Sequence, residues 1–217
     1  MKITKEQSDW LKIIAILLMI IDHIGVVFFP EQPVWRIIGR LAFPLFAYQL
    51  AVGFQYTRDR QRQLTYLMIF AMVSQIPYMM AIGVTLENLS LNVFFTFVLS
   101  YAFMMLLAMK KRVTFVIALA LLFLTLPAVD YGIYGILLPV GFYLLRNHPS
   151  LQVLLLVMAT LAKAFVGSPL QSFAIFAIPL VLVVSLFKLP QVKLSKWFFY
   201  VFYPVHLAIL VGVSYLI

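Results

Sequence analysis

From residue 11 onward the chain is a succession of long apolar runs separated by short polar or charged breaks. Runs bounded by charges or by Pro and Gly cover 11–29, 35–54, 64–83, 91–109, 113–129, 131–145, 151–166, 170–187 and 197–217. A helix needs roughly 20 apolar residues to cross a hydrocarbon layer about 30 Å thick, so the pattern predicts about nine spans, with 131–145 and 151–166 the shortest. The fold class is therefore all-α: a polytopic transmembrane helical bundle, one integral membrane domain over residues 1–217.

Composition agrees. Only 11% of the residues are charged and 65% are hydrophobic, whereas a soluble domain carries about 25% charged residues. There is no cysteine, so neither a disulfide scaffold nor a thiolate metal site is available. The N-terminal segment is basic and precedes an apolar run, as in a signal peptide, but the run is too long and has no A-x-A-like cleavage site, which predicts a retained first helix.

The net charge of +9 is explained by position. Of the 16 Lys and Arg residues, all but Arg36, Arg40 and Lys163 fall in the N-terminal segment or in alternate loops. Positive charges near span ends stay in the cytoplasm, so the N-terminus is expected inside. About nine spans put the C-terminus outside, and Glu31, Glu87 and Asp130 then lie in the outer loops. The basic balance reports topology and gives no reason to expect nucleic-acid binding.

Ionisable groups inside the hydrocarbon are costly and mark function by default. At about 1.5 Å per residue, His23 lies roughly 18 Å above the inner end of the first span, with Asp22 beside it. Arg40 lies about 7.5 Å below the outer end of the second span on the same rise, and Arg36 is one turn away on the same face. Lys163, and a polar stripe of Asn92, Thr96 and Ser100, reach similar levels, which predicts one charged outer pocket. Adjacent helical residues diverge by about 100°, so Asp22 and His23 serve different partners. Asp22 is placed to pair with Arg36 or Arg40, which leaves His23 as a general base or, more plainly, as a helix–helix hydrogen bond. In the last span Tyr203, Pro204 and His206 form a Y-P-x-H group near mid-membrane, either a proline kink or a substrate-lined opening. Three dispersed histidines make a poor ligand set, so no metal is expected.

Family motifs carry the reading further. Asp9-Trp10-Leu11-Lys12 with Met19-Ile20-Ile21-Asp22-His23-Ile24-Gly25 resembles the opening signature of the TraX family of membrane acetylases. Ile38-Gly39-Arg40-Leu41-Ala42-Phe43-Pro44, with Gly53-Phe54 and Thr57-Arg58, is similar to its second-helix block, and Ser74-Gln75-Ile76-Pro77 follows in place. Leu91-Asn92-Val93-Phe94-Phe95-Thr96, Asp130-Tyr131-Gly132-Ile133-Tyr134-Gly135 and Phe202-Tyr203-Pro204-Val205-His206-Leu207 also resemble it.

The resemblance implies a bacterial inner-membrane acetyltransferase with acetyl-CoA as donor and, as acceptor, a pilin-like peptide amine or an envelope glycan hydroxyl. Lys12, Arg58 and Tyr203 would then hold the donor. Asp22, His23, Arg40 and His206 would form the catalytic group, with either histidine as base and either direct transfer or an acetyl-histidine intermediate. Arg36, Asn92, Asp130 and Tyr134 would face the acceptor. Larger transmembrane acyltransferases, to which the family looks related, carry a basic residue and a histidine eleven positions apart on the first helix. Lys12 and His23 have that spacing, about 20° apart in azimuth, with Lys where those relatives usually have Arg. The rival reading is a small proton- or anion-coupled transporter or flippase.

Overall fold

A computed structural model describes residues 3–85, 87–114, 116–117, 120, 131–193 and 195–216. Among them the chain forms nine α-helices and one 3₁₀ segment, with no strand. Helix α1 (Lys5–Phe28) opens on a reciprocal cap: Thr4 Oγ1 accepts from the Gln7 amide, and the Gln7 side chain accepts from the Thr4 amide. Gln7 Nε2 also donates to the carbonyls of Ser185 and Phe187, both at 3.0 Å. These carbonyls belong to the last turn and C-cap of α8 (Ala177–Leu186), where helix geometry leaves backbone acceptors unsatisfied. One side chain therefore starts α1 and ties it to the end of α8.

The expected second span is broken. Residues Pro33–Gly39 form α2 and Ala42–Tyr56 form α3, with Arg40 and Leu41 at the break. Pro44 explains it, since a proline ring clashes with the carbonyl four residues earlier, here that of Arg40. Helix α4 (Arg60–Ile82) follows an Asp59 cap and stops at Gly83, whose φ of 71° is the left-handed conformation that glycine adopts without a Cβ penalty. Helix α5 (Val93–Ala108) is capped by Asn92. Then come α6 (Gly132–Leu144), α7 (Pro149–Val166), the 3₁₀ segment Pro169–Phe176 leading into α8, and α9 (Lys196–Ser214). Pro179 accounts for the 3₁₀ stretch in the same way as Pro44, by excluding the Ile175 carbonyl from an α-helical bond.

Among the described residues, six stretches are long and apolar enough to cross a membrane: Lys5–Phe28, Pro33–Tyr56, Arg60–Ile82, Pro149–Val166, Pro169–Leu186 and Trp197–Ser214. Six of the nine expected runs coincide with these, and three do not. The runs at 91–109 and 131–145 yield helices of only 16 and 13 residues, and most of 113–129 lies outside the described residues. The shortening has local causes. Asn92 starts α5 late, and Gly132, at φ 56°, starts α6.

Helix α1 packs against α2, α3, α4, α8 and α9, while α5 lies between α4 and α6, and α3 packs on α6. This arrangement sets two open volumes against one face of α1.

Candidate functional site

The two volumes lie end to end along α1. We call the first the lysine cavity, about 600 Å³, because Lys5, Lys12 and Lys193 line it with Asp9 as the one acid. Deeper in, its wall is Ile16, Leu50, Leu67, Phe94, Phe97 and Tyr200. The second, the arginine cavity, is about 480 Å³ and is lined by Asp22, His23, Arg36 and Arg40, with Tyr78, Ser90 and Tyr131. Residues 5, 9, 12, 16, 19, 23 and 26 of α1 all face one cavity or the other. Their spacing alternates four and three, which keeps them on one helical face.

Asp22 and Arg36 form an ion pair at 2.7 Å. The approach of α2 that allows it depends on Gly39, because a Cβ there would land on the Asp22 carboxyl group. Gly25 plays the same part against Trp35. Arg40, the C-cap of α2 at the α2–α3 break, lines the same cavity. Two guanidinium groups thus share a cavity with one carboxylate, and a low-dielectric surrounding strengthens their field.

His23 has a different partner. Its Nδ1 lies 2.9 Å from Nε2 of His206, a residue 183 positions away. His206 Nδ1 in turn lies 2.9 Å from the carbonyl oxygen of Phe202. The tautomers follow from these contacts. A carbonyl only accepts, so His206 Nδ1 carries a hydrogen, and in the neutral ring its Nε2 is then an acceptor. His23 Nδ1 must therefore donate, which leaves the lone pair of a neutral His23 on Nε2. The chain of hydrogen bonds runs Phe202 carbonyl, His206, His23, and leaves the unprotonated Nε2 on a residue of the arginine-cavity wall. Both histidines are buried. Tyr203 packs beside them, its ring 6.0 Å from that of His23 and 5.5 Å from that of His206. Pro204 excludes the Tyr200 carbonyl from its helical bond in the same stretch.

Tyr203, assigned above to the donor, lines both cavities, as do Met19, Phe46 and Val93. Lys12 stands at the lysine cavity, paired with Asp9 at 2.7 Å and with its ammonium 5.7 Å from the Phe199 ring. Arg58 is exposed in the α3–α4 connection and forms no part of that wall, which takes Thr57 instead.

The other expected members of one charged pocket are dispersed. Asn92 is fully buried and lies off both cavities. Its Oδ1 caps Phe94 N–H, and its Nδ2 donates to the Ala71 carbonyl and to Gln75 Oε1, both at 2.8 Å. Its amide is spent on holding α5 to α4. Thr96 and Ser100 face α6 instead of a cavity. Pro139 excludes the Gly135 carbonyl from its helical bond, and Ser100 Oγ lies 3.4 Å from that oxygen. A Cβ on Gly135 would come within 2.7 Å of the Thr96 methyl, so the stripe is a close-packed seam between helices. Tyr134 is buried beside the cavity, its hydroxyl 3.2 Å from that of Thr160 and its ring against Phe43. Lys163 sits in the last turn of α7, where a cation meets the negative end of the helix dipole. Asp130 lies outside the described residues. Among the described residues no cluster of three His, Cys, Asp or Glu could hold a metal ion.

Met19, Phe46 and Tyr131 are among the wall members that sequence reading did not assign to the site. Extending the Lys12–His23 face in steps of four and three would have found Met19, whereas Tyr131 and Phe46 carry no polar signal.

The family model described as TraX protein matches residues 7–214. The chain belongs to the TraX family. Two TraX-like relatives align over nearly its full length. One is the probable fimbrial assembly protein FimC, serogroup H1, of Dichelobacter nodosus, 30% identical with 92% of each chain covered. The other is Protein TraX of Escherichia coli, 30% identical with 94% of this chain and 86% of the relative covered. No solved structure matches. The TraX match includes Lys12, Asp22, His23, Arg36, Arg40, Tyr203 and His206, the residues that build the two cavities and the histidine pair.

Proposed function

We propose that this TraX-family chain is a membrane acetyltransferase that takes acetyl-CoA into the lysine cavity and delivers the acetyl group to an acceptor in the arginine cavity. One observation carries the reading. A hydrogen-bonded histidine pair, set in one tautomeric order by a backbone carbonyl, adjoins Tyr203, a residue that two cavities share. A base oriented by a second group is the usual means of activating a weak nucleophile. With the N-terminus in the cytoplasm of a bacterial inner membrane, the lysine cavity opens to the side where acetyl-CoA is made, and its three lysines suit the donor's phosphates. The fimbrial assembly role in one relative's name favours a pilin-like peptide amine over a glycan hydroxyl as acceptor.

The chemistry is a balanced acyl transfer. The acceptor nitrogen or oxygen attacks the thioester carbonyl carbon while its proton passes to His23 Nε2. The resulting positive charge is shared with His206 through the Nδ1–H bond. Arg40 faces the oxyanion, since the Asn92 amide is already used, and fixed charge aimed at a developing oxyanion is among the strongest catalytic terms. The tetrahedral intermediate then collapses, the carbon–sulfur bond breaks, and the CoA thiolate takes the proton back from His23. Asp22 holds Arg36 and so shapes the acceptor side.

The test is acetyl-CoA titration of detergent-purified protein, wild type beside His23→Ala, following free thiol. Saturable release that needs His23 is the expected result. Folded protein that neither binds nor cleaves acetyl-CoA, yet dissipates a proton or anion gradient in liposomes, would leave the transporter in its place.

A further inference from the structure

The wall between the cavities is thin and specific in composition. Among the described residues, only Met19, Phe46, Val93 and Tyr203 line both volumes. Three are apolar, and the fourth presents an aromatic ring. Two of the four are held in place: Tyr203 is buried, with its ring 5.2 Å from Phe94, and Val93 follows the braced Asn92 cap. Met19 and Phe46, partly buried and packed against the apolar core, are the other two. Met19 lies one turn before His23 on the same face of α1, and Phe46 lies two residues beyond Pro44, past the helix break.

Below this wall the lysine cavity is mainly apolar, whereas above it Asp22, His23, Arg36 and Arg40 stand among apolar residues such as Val26, Phe43 and Ile82. A donor bound below presents only its acyl group to the wall, because the thioester carbon must reach His23 while the rest of the donor stays with the lysines. An acetyl group brings a single methyl carbon to Phe46 and Met19. Each further methylene must displace one of those side chains or push past it toward Asp22, Arg36 and Arg40, whose polar groups lose water to it.

We propose that Met19 and Phe46 form a septum that sets the acyl length, restricting the donor to short-chain acyl-CoA thioesters. The proposal rests on the acetyltransferase reading given above. A single methylene misfit in an apolar pocket changes selectivity by about 10- to 200-fold. Removing the Phe46 ring joins the two volumes through an apolar opening and gives a longer chain somewhere to lie.

The experiment compares thiol release from acetyl-, propionyl-, butyryl- and hexanoyl-CoA by full-length wild type, Phe46→Ala, Met19→Ala and the milder Phe46→Leu, each checked for a cooperative thermal transition in detergent. In the wild type, kcat/KM is expected to fall by about tenfold or more per added methylene. Phe46→Ala is expected to raise the butyryl-to-acetyl ratio by at least about tenfold, with Phe46→Leu and Met19→Ala intermediate. An unchanged chain-length profile in all folded variants, with only a lower absolute rate, overturns the septum while leaving acetyl transfer intact. A flat wild-type series overturns it too. No thiol release from any donor by folded wild type overturns the acetyltransferase reading and the septum with it.

Discussion

Alanine at position 39 is expected to abolish acetyl transfer and to lower the thermal midpoint of the purified protein, although it adds only one methyl group. The added Cβ would occupy the space now filled by the Asp22 carboxyl group. Either α2 must move away from α1, or Asp22 must turn and break its 2.7 Å bond to Arg36. Overpacking of this kind costs about 1–3 kcal/mol, and separating a partly buried ion pair approaches the 3–5 kcal/mol range for a lone desolvated charge. Both routes also displace Arg36 and the adjacent Arg40 from the cavity. Gly212→Ala is the matched control. It lies on exposed α9 surface with nothing within 4 Å of the new Cβ, and a helical Gly→Ala change is stabilising by about 0.5–1 kcal/mol. A Gly39→Ala protein with wild-type melting and turnover would show that the α1–α2 contact does not govern the site.

The histidine pair is expected to behave as one unit. His23→Ala removes the base and should lower turnover by about 10²–10⁴-fold. His206→Ala leaves a base that is no longer oriented or held in one tautomer, and misplacement of a catalytic group costs about 10²-fold. The double variant should be no slower than His23→Ala alone, since residues acting together are grossly non-additive. Single-turnover thiol release with all three proteins checks this. A larger loss at 206 than at 23 would exchange the two roles, and multiplicative losses would mean that the 2.9 Å contact has no catalytic meaning.

Much of the fold was legible because membrane helices announce themselves. Apolar runs gave the positions of the helices, and the paired charges Asp22 and Arg36 were close enough in sequence, across one hairpin, for their meeting to be anticipated. What the runs do not encode is where a helix stops being regular. Pro44 and Pro179 carry that information, since each removes the bond of the carbonyl four residues earlier, and with it come the break at Arg40 and the 3₁₀ entry to α8. The polar stripe Asn92, Thr96 and Ser100 does lie along one helix face, but the stripe alone does not say what the face meets. Gly135 and Pro139 decide that, by letting α6 come close and offering a bare carbonyl. Lys163 lies in the last turn of α7 and lines neither cavity. The His23–His206 contact joins opposite ends of the chain, and no local pattern reports such a meeting.

The account turns on passage of an acyl group from one cavity to the other across the membrane-embedded histidine pair. Its most direct test is sidedness in sealed proteoliposomes of known protein orientation. Radiolabelled acetyl-CoA is supplied only on the face where Lys5, Lys12 and Lys193 open, and a peptide bearing a free N-terminal amine is enclosed on the other. Label in the enclosed peptide, dependent on His23, is the expected result. Labelling only when donor and acceptor share one compartment would contradict it.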